Sequence, residues 1–250
     1  MNLLGKLFRG KKRIFIFTVH KAASMFLHKI ASDLSDRAGL KHYSINNKKN
    51  SRYWFDFENQ ELQNTDLWRG KHGCFGPIRR LGEIPDLDNS EVILHLRDPR
   101  DVLVSQYYSY VYSHPVIEGV FELTNKDRES LEQEGIDEFV LKRADKLERN
   151  YRNYLERFRN NDKCRIVKYE EMVIDFSAWL DPFCQVFDLG EKDKVELVKT
   201  YEAEFTIEKE DAMNHKRNIT PGDHKQKLKK GTIIHLNTVF TKLLDALEYS

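Results

Sequence analysis

Hydrophobic positions along the chain switch between two periods. Residues 14–19 form an unbroken β-branched and aromatic run, IFIFTV. Such a run suits a strand buried on both faces, as in a parallel sheet. A short turn follows, and then Met25, Phe26, Ile30 and Leu34 recur at helical spacing, with Gly39 as a natural stop. Residues 42–46 read as a second short strand, and 47–70 as a polar surface excursion. EVILHL at 91–96 reads as a strand and 101–112 as a helix, with Pro99 pre-setting its first turn. An acidic, exposed connection is predicted over 122–138. A long helix over 137–159 carries Phe139, Leu147, Tyr151, Tyr154 and Phe158 on its apolar face. CRIVKY at 164–169 is another strand, and helices are predicted near 175–188, 191–204 and 232–248. No internal repeat is visible.

Strands separated by helices predict an α/β fold: one domain, with a mostly parallel central sheet flanked by helices. Ligands of such sheets sit outside the carboxyl ends of the strands. The domain is expected over 14–250, after a basic lead-in at 1–13 and with a flexible basic flap at 207–231.

Composition narrows the classes. The chain has 250 residues, and its aromatic content of 12% and net charge of +1 exclude disorder for the bulk. The balance of 41 basic and 40 acidic residues argues against a dedicated nucleic-acid binder. That balance hides local asymmetry. His215–Lys230 holds six Lys or Arg against Asp223 alone, and Glu122–Glu138 holds seven acidic residues against two basic ones. The three cysteines, Cys74, Cys164 and Cys184, form no CxxC pair. They read as reduced thiols, with neither a disulfide framework nor a metal site. No apolar run is long enough to span a bilayer. The N-terminus, MNLLGKLFRGKKR, has its charges after a very short apolar stretch, the reverse of a secretory signal. A cytosolic chain is expected, with peripheral membrane contact through residues 2–13 as a lesser alternative.

Two strand-to-helix junctions carry candidate chemistry. His20-Lys21-Ala22-Ala23-Ser24-Met25 lies between the first strand and its helix. Free N–H groups at a helix start favour an anion. Lys21 adds a charge, Ser24 a hydroxyl, and the small Ala22 and Ala23 allow close backbone approach. The triphosphatase motif GxxxxGK[ST] is absent. The second junction is RDPRDVLVSQYYS, beginning at Arg97. It sets a guanidinium at a strand end and a hydroxyl, Ser105, eight residues on, a pairing suited to a phosphate. An Arg–Asp pair that merely ties the loop is the bland alternative.

This second run resembles the 3′-phosphate-binding signature of sulfotransferases that use 3′-phosphoadenosine-5′-phosphosulfate (PAPS). The first loop is similar to the family's Lys-x-Gly-Thr-Thr-Trp element for the 5′-phosphosulfate. Lys21 and Ser24 match in type, Ala23 stands for Gly, Met25 for a hydroxyl residue, and Phe26 for the aromatic that stacks on adenine. Lys168-Tyr169-Glu170-Glu171-Met172 is similar to the Tyr-Glu-Asp-Leu element, whose Tyr lies near the adenine. Arg217-Asn218-Ile219-Thr220-Pro221-Gly222-Asp223-His224-Lys225 is similar to Arg-Lys-Gly-x-x-Gly-Asp-Trp-Lys, whose Arg reaches the 3′-phosphate from a flap.

The resemblance implies a P-loop-like sulfotransferase fold. It also implies sulfuryl transfer from PAPS to a hydroxyl or amine, with PAP as product and no metal. Positioning and charge stabilisation would dominate. Lys21 would stabilise the departing phosphate, and Ser24 with the N–H groups of residues 22–26 would hold the 5′ side. Arg97, Ser105 and Arg217 would hold the 3′-phosphate. His72, in Gly70-Lys71-His72-Gly73, is the first choice of general base, by analogy with the family's Lys-x-His element. His20 is the second, and Asp56 or Glu58 the third. The acceptor is a small molecule, a carbohydrate or a lipid; a nucleic acid is not expected. Two other readings stay open: a catalytically degenerate nucleotide-binding relative and a small-molecule kinase.

Overall fold

The computed structural model describes residues 12–43, 71–79, 81–82, 84, 86–113, 124–205 and 219–249. The chain divides into two compact units, Met1–Leu96 with Phe158–Glu204, and Arg97–Arg157 with Phe205–Ser250.

The described residues of the first unit hold five strands: β1 (Arg13–Thr18), β2 (His42–Tyr43), β3 (Gly73–Ile78), β4 (Glu91–Leu96) and β5 (Cys164–Lys168). They form one sheet in the order β2-β3-β1-β4-β5, and every pairing is parallel. The expected α/β fold with a parallel sheet is therefore present. Ile14, Phe15, Ile16 and Phe17 are fully buried, as the unbroken apolar run requires of a central strand. Tyr43, Phe75 and Phe15 lie level across β2, β3 and β1, with ring centroids 4.7 and 4.9 Å apart. This ladder of stacked rings fixes the register on one face.

The strand β3 is absent from the sequence-based expectation, because Gly73, Gly76 and Pro77 break a strand signal. The structure explains the glycines. A Cβ at Gly73 would stand 2.3 Å from the Lys41 carbonyl oxygen, and one at Gly76 would stand 2.5 Å from that of Ile16. Both positions have φ above +130°, which favours glycine.

The helix α1 (Ser24–Ala38) buries Phe26, Leu27, Ile30, Ala31, Leu34 and Ala38, a stripe at helical spacing that packs on β2 and β3. It stops at Gly39, in left-handed conformation at φ 67°.

In the second unit, α2 (Pro99–Tyr108) begins with Pro99 at its first turn, as expected, and continues as a π-helical turn over Ser109–Ser113. The next helix, α3 (Asn125–Phe158), starts far earlier than predicted. Most of the acidic stretch taken as a connection is helical, and Gly135 at φ 76° breaks the helix in two. Only the part after Gly135 has the apolar periodicity that marks a buried face.

Back in the first unit, α4 (Tyr169–Ile174), α5 (Phe176–Val186) and α6 (Glu191–Tyr201) follow β5, and α5 packs on β4 and β5. The second unit closes with α7 (Asp223–Lys227) and α8 (Lys230–Ala246), which lie where a basic flap and a final helix were expected.

From β1 the chain turns towards β2 and β3, and from β4 towards β5. The topological switch point therefore falls between β1 and β4, the place where open α/β sheets bind ligands. Val19, His20 and Lys21 follow β1, and Arg97 follows β4.

Candidate functional site

The loop after β1 is tightly wound. Lys21 and Ala23 both have positive φ, 64° and 54°. That conformation costs a Cβ-bearing residue roughly 1–2 kcal/mol. Ala22 between them is fully buried, and Lys21 and Ser24 are partly exposed. Ala23 is the N-cap of α1 and has no side-chain oxygen to offer. No acidic residue stands in the first turn. The start of α1 thus has no side-chain cap from its N-cap residue and no carboxylate in its first turn, and a phosphate or sulfate fits the chemistry of this turn. Met25 points outwards at 60% exposure.

His20 lies beside this turn, and its Nδ1 is 3.3 Å from Arg79 Nη1. Arg79 directly follows β3, so it stands at the carboxyl edge of the sheet together with His20 and Lys21. Sequence reasoning missed it. The only available signal was a charged residue ending a strand, and β3 itself was unrecognised.

His72 stands elsewhere. It precedes Gly73, which pairs with Arg13 at the start of β1. In a parallel sheet this is the amino edge, about 20 Å of strand from the carboxyl edge at roughly 3.3 Å per residue. There His72 is exposed and lines a cavity with Lys12, Arg13, Lys71 and Asp86. The structure does not bring His72 together with Lys21: the two stand at opposite edges of the sheet.

Phe26 and Tyr169 are core residues. Phe26 is 7% exposed and packs on Phe176, Trp179 and Tyr201 at centroid distances of 5.9, 6.1 and 5.8 Å. Tyr169 is buried edge-on against His95. Asp56, Glu58 and Arg217 lie outside the described residues, as do residues 1–11 of the lead-in.

In the second unit, each charged residue of Arg97-Asp98-Pro99-Arg100-Asp101 has a separate task. Asp98 caps α2 by accepting from the Arg100 N–H at 2.9 Å. It also binds the Arg100 guanidinium in a fork, at 3.0 Å from Nε and 2.7 Å from Nη2. The remaining arm of Arg100 donates to Asn237 on α8 at 2.8 Å. Arg100 is therefore a packing residue, 3% exposed, that ties α2 to α8. Asp101 accepts from the His224 ring and from the N–H groups of Gly222 and His224. Burial alone would raise its carboxyl pKa, but the His224 bond and the Arg97 charge outweigh that and hold it below its ordinary value.

Arg97 is buried, and its carbonyl oxygen accepts from the Tyr151 hydroxyl at 2.5 Å, which fixes the backbone there. Ser105 is partly exposed on α2. Tyr107 and Tyr110 pack edge-on against Phe139, so this aromatic cluster forms core. Burial raises all three thiols, Cys74 and Cys164 to about 12 and Cys184 to about 11, which makes them poor nucleophiles. Among the described residues no group of His, Cys, Asp and Glu could hold a metal, and no helix is long and apolar enough to cross a membrane.

A family model described as the sulfotransferase domain matches residues 81–242, which includes the whole Arg97–Ser105 junction. The chain belongs to the sulfotransferase domain family. The fold agrees with members of known structure. Mouse sulfotransferase SULT7A1 complexed with PAP superposes with a TM-score of 0.56 at 17% identity, covering 93% of this chain and 84% of that one. Retinol dehydratase in complex with androsterone and inactive cofactor PAP gives 0.51 at 11% identity, covering 93% and 80%. No curated protein sequence matches the chain.

Proposed function

We propose that the protein transfers a sulfuryl group from PAPS to a hydroxyl or amine of a small-molecule, carbohydrate or lipid acceptor. One observation carries the reading: the family match spans the Arg97–Ser105 motif, and β4, which leads into it, borders the topological switch point. PAPS supplies the activated sulfuryl group and leaves as PAP.

The chain's own residues do the binding and the charge stabilisation. Lys21 offsets negative charge gathering on the bridging oxygen of the departing phosphate. Ser24 and the N–H groups at the start of α1 hold the 5′-phosphate. Arg97 and Ser105 hold the 3′-phosphate, which separates this donor from nucleotides of the ATP type, and Arg217 joins them from the basic segment. Asp98, Arg100 and Asp101 set the backbone that presents Arg97. The unpaired cysteines support a reducing compartment, and we place the protein in the cytosol.

Isothermal titration with PAP and with ATP tests the reading. The expected result is saturable PAP binding that ATP does not match. Equal affinity for the two would remove the 3′-phosphate site and return the kinase reading. PAP binding without sulfuryl transfer to phenol, sugar and lipid acceptors would leave a nucleotide-binding relative without catalysis.

A further inference from the structure

Asp101 is a buried carboxylate in the first turn of α2, between the two residues proposed above to hold the 3′-phosphate. Arg97 lies four residues before it. Ser105 lies four residues after it, one helical turn along the same side of α2. The carboxylate is engaged from α7. Its Oδ1 accepts from the N–H and the ring Nδ1 of His224, and its Oδ2 accepts from the N–H of Gly222. Burial works against an ionised carboxyl, yet the His224 bond and the Arg97 charge keep this one ionised at neutral pH. Asp98 and Arg100, the neighbouring charges, are bound to each other at 2.7 Å.

We propose that Asp101 sets the anion affinity of this junction. Its fixed negative charge opposes a phosphate held by Arg97 and Ser105, both directly and by offsetting the Arg97 guanidinium. Identifying that anion with the 3′-phosphate of PAP rests on the function proposed above; the opposing charge does not.

Such a charge has a use in the transfer reaction. The 3′-phosphate takes no part in the bond that breaks, and it is the same group in PAPS and in PAP. Binding energy gained on it is present in the ground state, the transition state and the product alike, so it does not speed the chemical step. Excess affinity there slows release of PAP instead. A buried carboxylate beside Arg97 loosens donor and product together and shortens the residence of PAP.

A purely structural Asp101, which only holds α7 against α2, predicts the opposite response to removal of its charge. The test uses the native full chain, Asp101→Asn and His224→Asn at pH 8. Calorimetry measures PAP and adenosine 5′-phosphate, and NMR follows inorganic phosphate at the amides of residues 97–105, so that binding elsewhere does not count. In Asp101→Asn the amide oxygen keeps the two bonds from His224 and gives up the one from Gly222, which is half-buried. PAP and inorganic phosphate should bind about fivefold tighter, the scale of one unit charge several Å away in a partly solvated site. Adenosine 5′-phosphate should stay within about twofold. A phosphate response no stronger than that of the native chain overturns the proposal.

His224→Asn keeps the backbone N–H and places an amide N–H near the position of the ring Nδ1, so Asp101 keeps its charge. Its PAP affinity should stay within about twofold of native even where its urea midpoint falls. A loss of affinity in step with stability would show that Asp101 acts only by holding α7, and it overturns the proposal even where Asp101→Asn does not fold. Equal binding of PAP and adenosine 5′-phosphate by the native chain would bring down the donor assignment instead, and the phosphate titration would then decide on Asp101 alone.

Discussion

Asp101 Oδ1 stands 2.6 Å from His224 Nδ1, and the same carboxylate accepts from the N–H groups of Gly222 and His224 at 2.7 and 2.9 Å. One side chain on α2 thereby holds both the ring and the backbone at the start of α7. Neither residue is open to water: Asp101 is 0% exposed and His224 1%. Replacing Asp101 with Ala leaves three donors, the two of His224 buried, without their acceptor. The expected loss is about 3–5 kcal/mol in a urea titration at pH 7. A loss below about 1 kcal/mol would show that α7 is held by other contacts. The carboxyl titrates below its ordinary value, so its contribution is complete above the unfolded Asp pKa of about 3.9 and disappears as pH falls below it. Asp101→Asn should therefore flatten the stability profile below about pH 4.

Ala23 adopts φ 54°, a left-handed conformation that favours glycine. Ala23→Gly removes the left-handed penalty on the Cβ and returns some entropy to the unfolded chain. The net expectation is a gain of about 0.5–1 kcal/mol by chemical denaturation. A loss would show that the Cβ makes packing contacts worth more than the strain.

Legibility in the sequence followed the burial of each element. The continuous run in β1 and the 3.6-residue stripe of α1 could be read because both bury a face that has to be apolar. β3 was hidden because its neighbours approach so closely that Gly73 and Gly76 have no room for a side chain, and those residues then imitate a turn. The first half of α3 was hidden for the opposite reason: it is exposed and acidic, so no apolar stripe marks it. At the site, Lys21, Ser24 and Arg97 were visible as residue types at strand ends. Arg79 and the Asp101–His224 pair were not, since each depends on a contact between distant segments: β3 with the loop after β1, and α2 with α7. The edge of the sheet that His72 occupies was hidden as well, because it depends on a strand that the pattern did not reveal.

Charge removal at Arg97 should be felt by the ligand. Arg97→Ala is expected to weaken PAP binding at least tenfold, the scale of a hydrogen bond between charged groups. Calorimetry measures this directly, and adenosine 5′-phosphate serves as the control. A 3′-phosphate contact predicts that PAP loses its advantage over the control. Equal weakening of both would move Arg97 away from the 3′ position.

His72→Ala should leave both PAP affinity and sulfuryl transfer within about twofold of the native chain. The ring is exposed at the amino edge of the sheet, and surface substitutions of this kind usually stay within about 0.5 kcal/mol. A large fall in turnover with PAP binding kept would restore His72 as the base and would require the strand register around Gly73 to be different.

His28 on α1 and His42 on β2 face each other with ring centroids 5.1 Å apart. Burial lowers the pKa of His28, whose Nδ1 has no hydrogen-bond partner among the described residues. Burial also lowers that of His42; the bond from its Nε2 to the Gly76 carbonyl opposes the shift, and the nearby His28 adds to it. Both rings are thus favoured as neutral in the folded chain. The unfolded chain binds protons first, near the ordinary value of about 6.5. Stability linked to the pair is complete above that pH and falls as pH drops through it towards the lower folded values. Urea midpoints measured from pH 8 to 5 should hold level and then decline below about 6.5. His28→Leu removes one proton acceptor and the mutual repulsion, so its decline should be shallower. A profile that stays flat to pH 5, or a variant with the native slope, would show that the acid response comes from other groups.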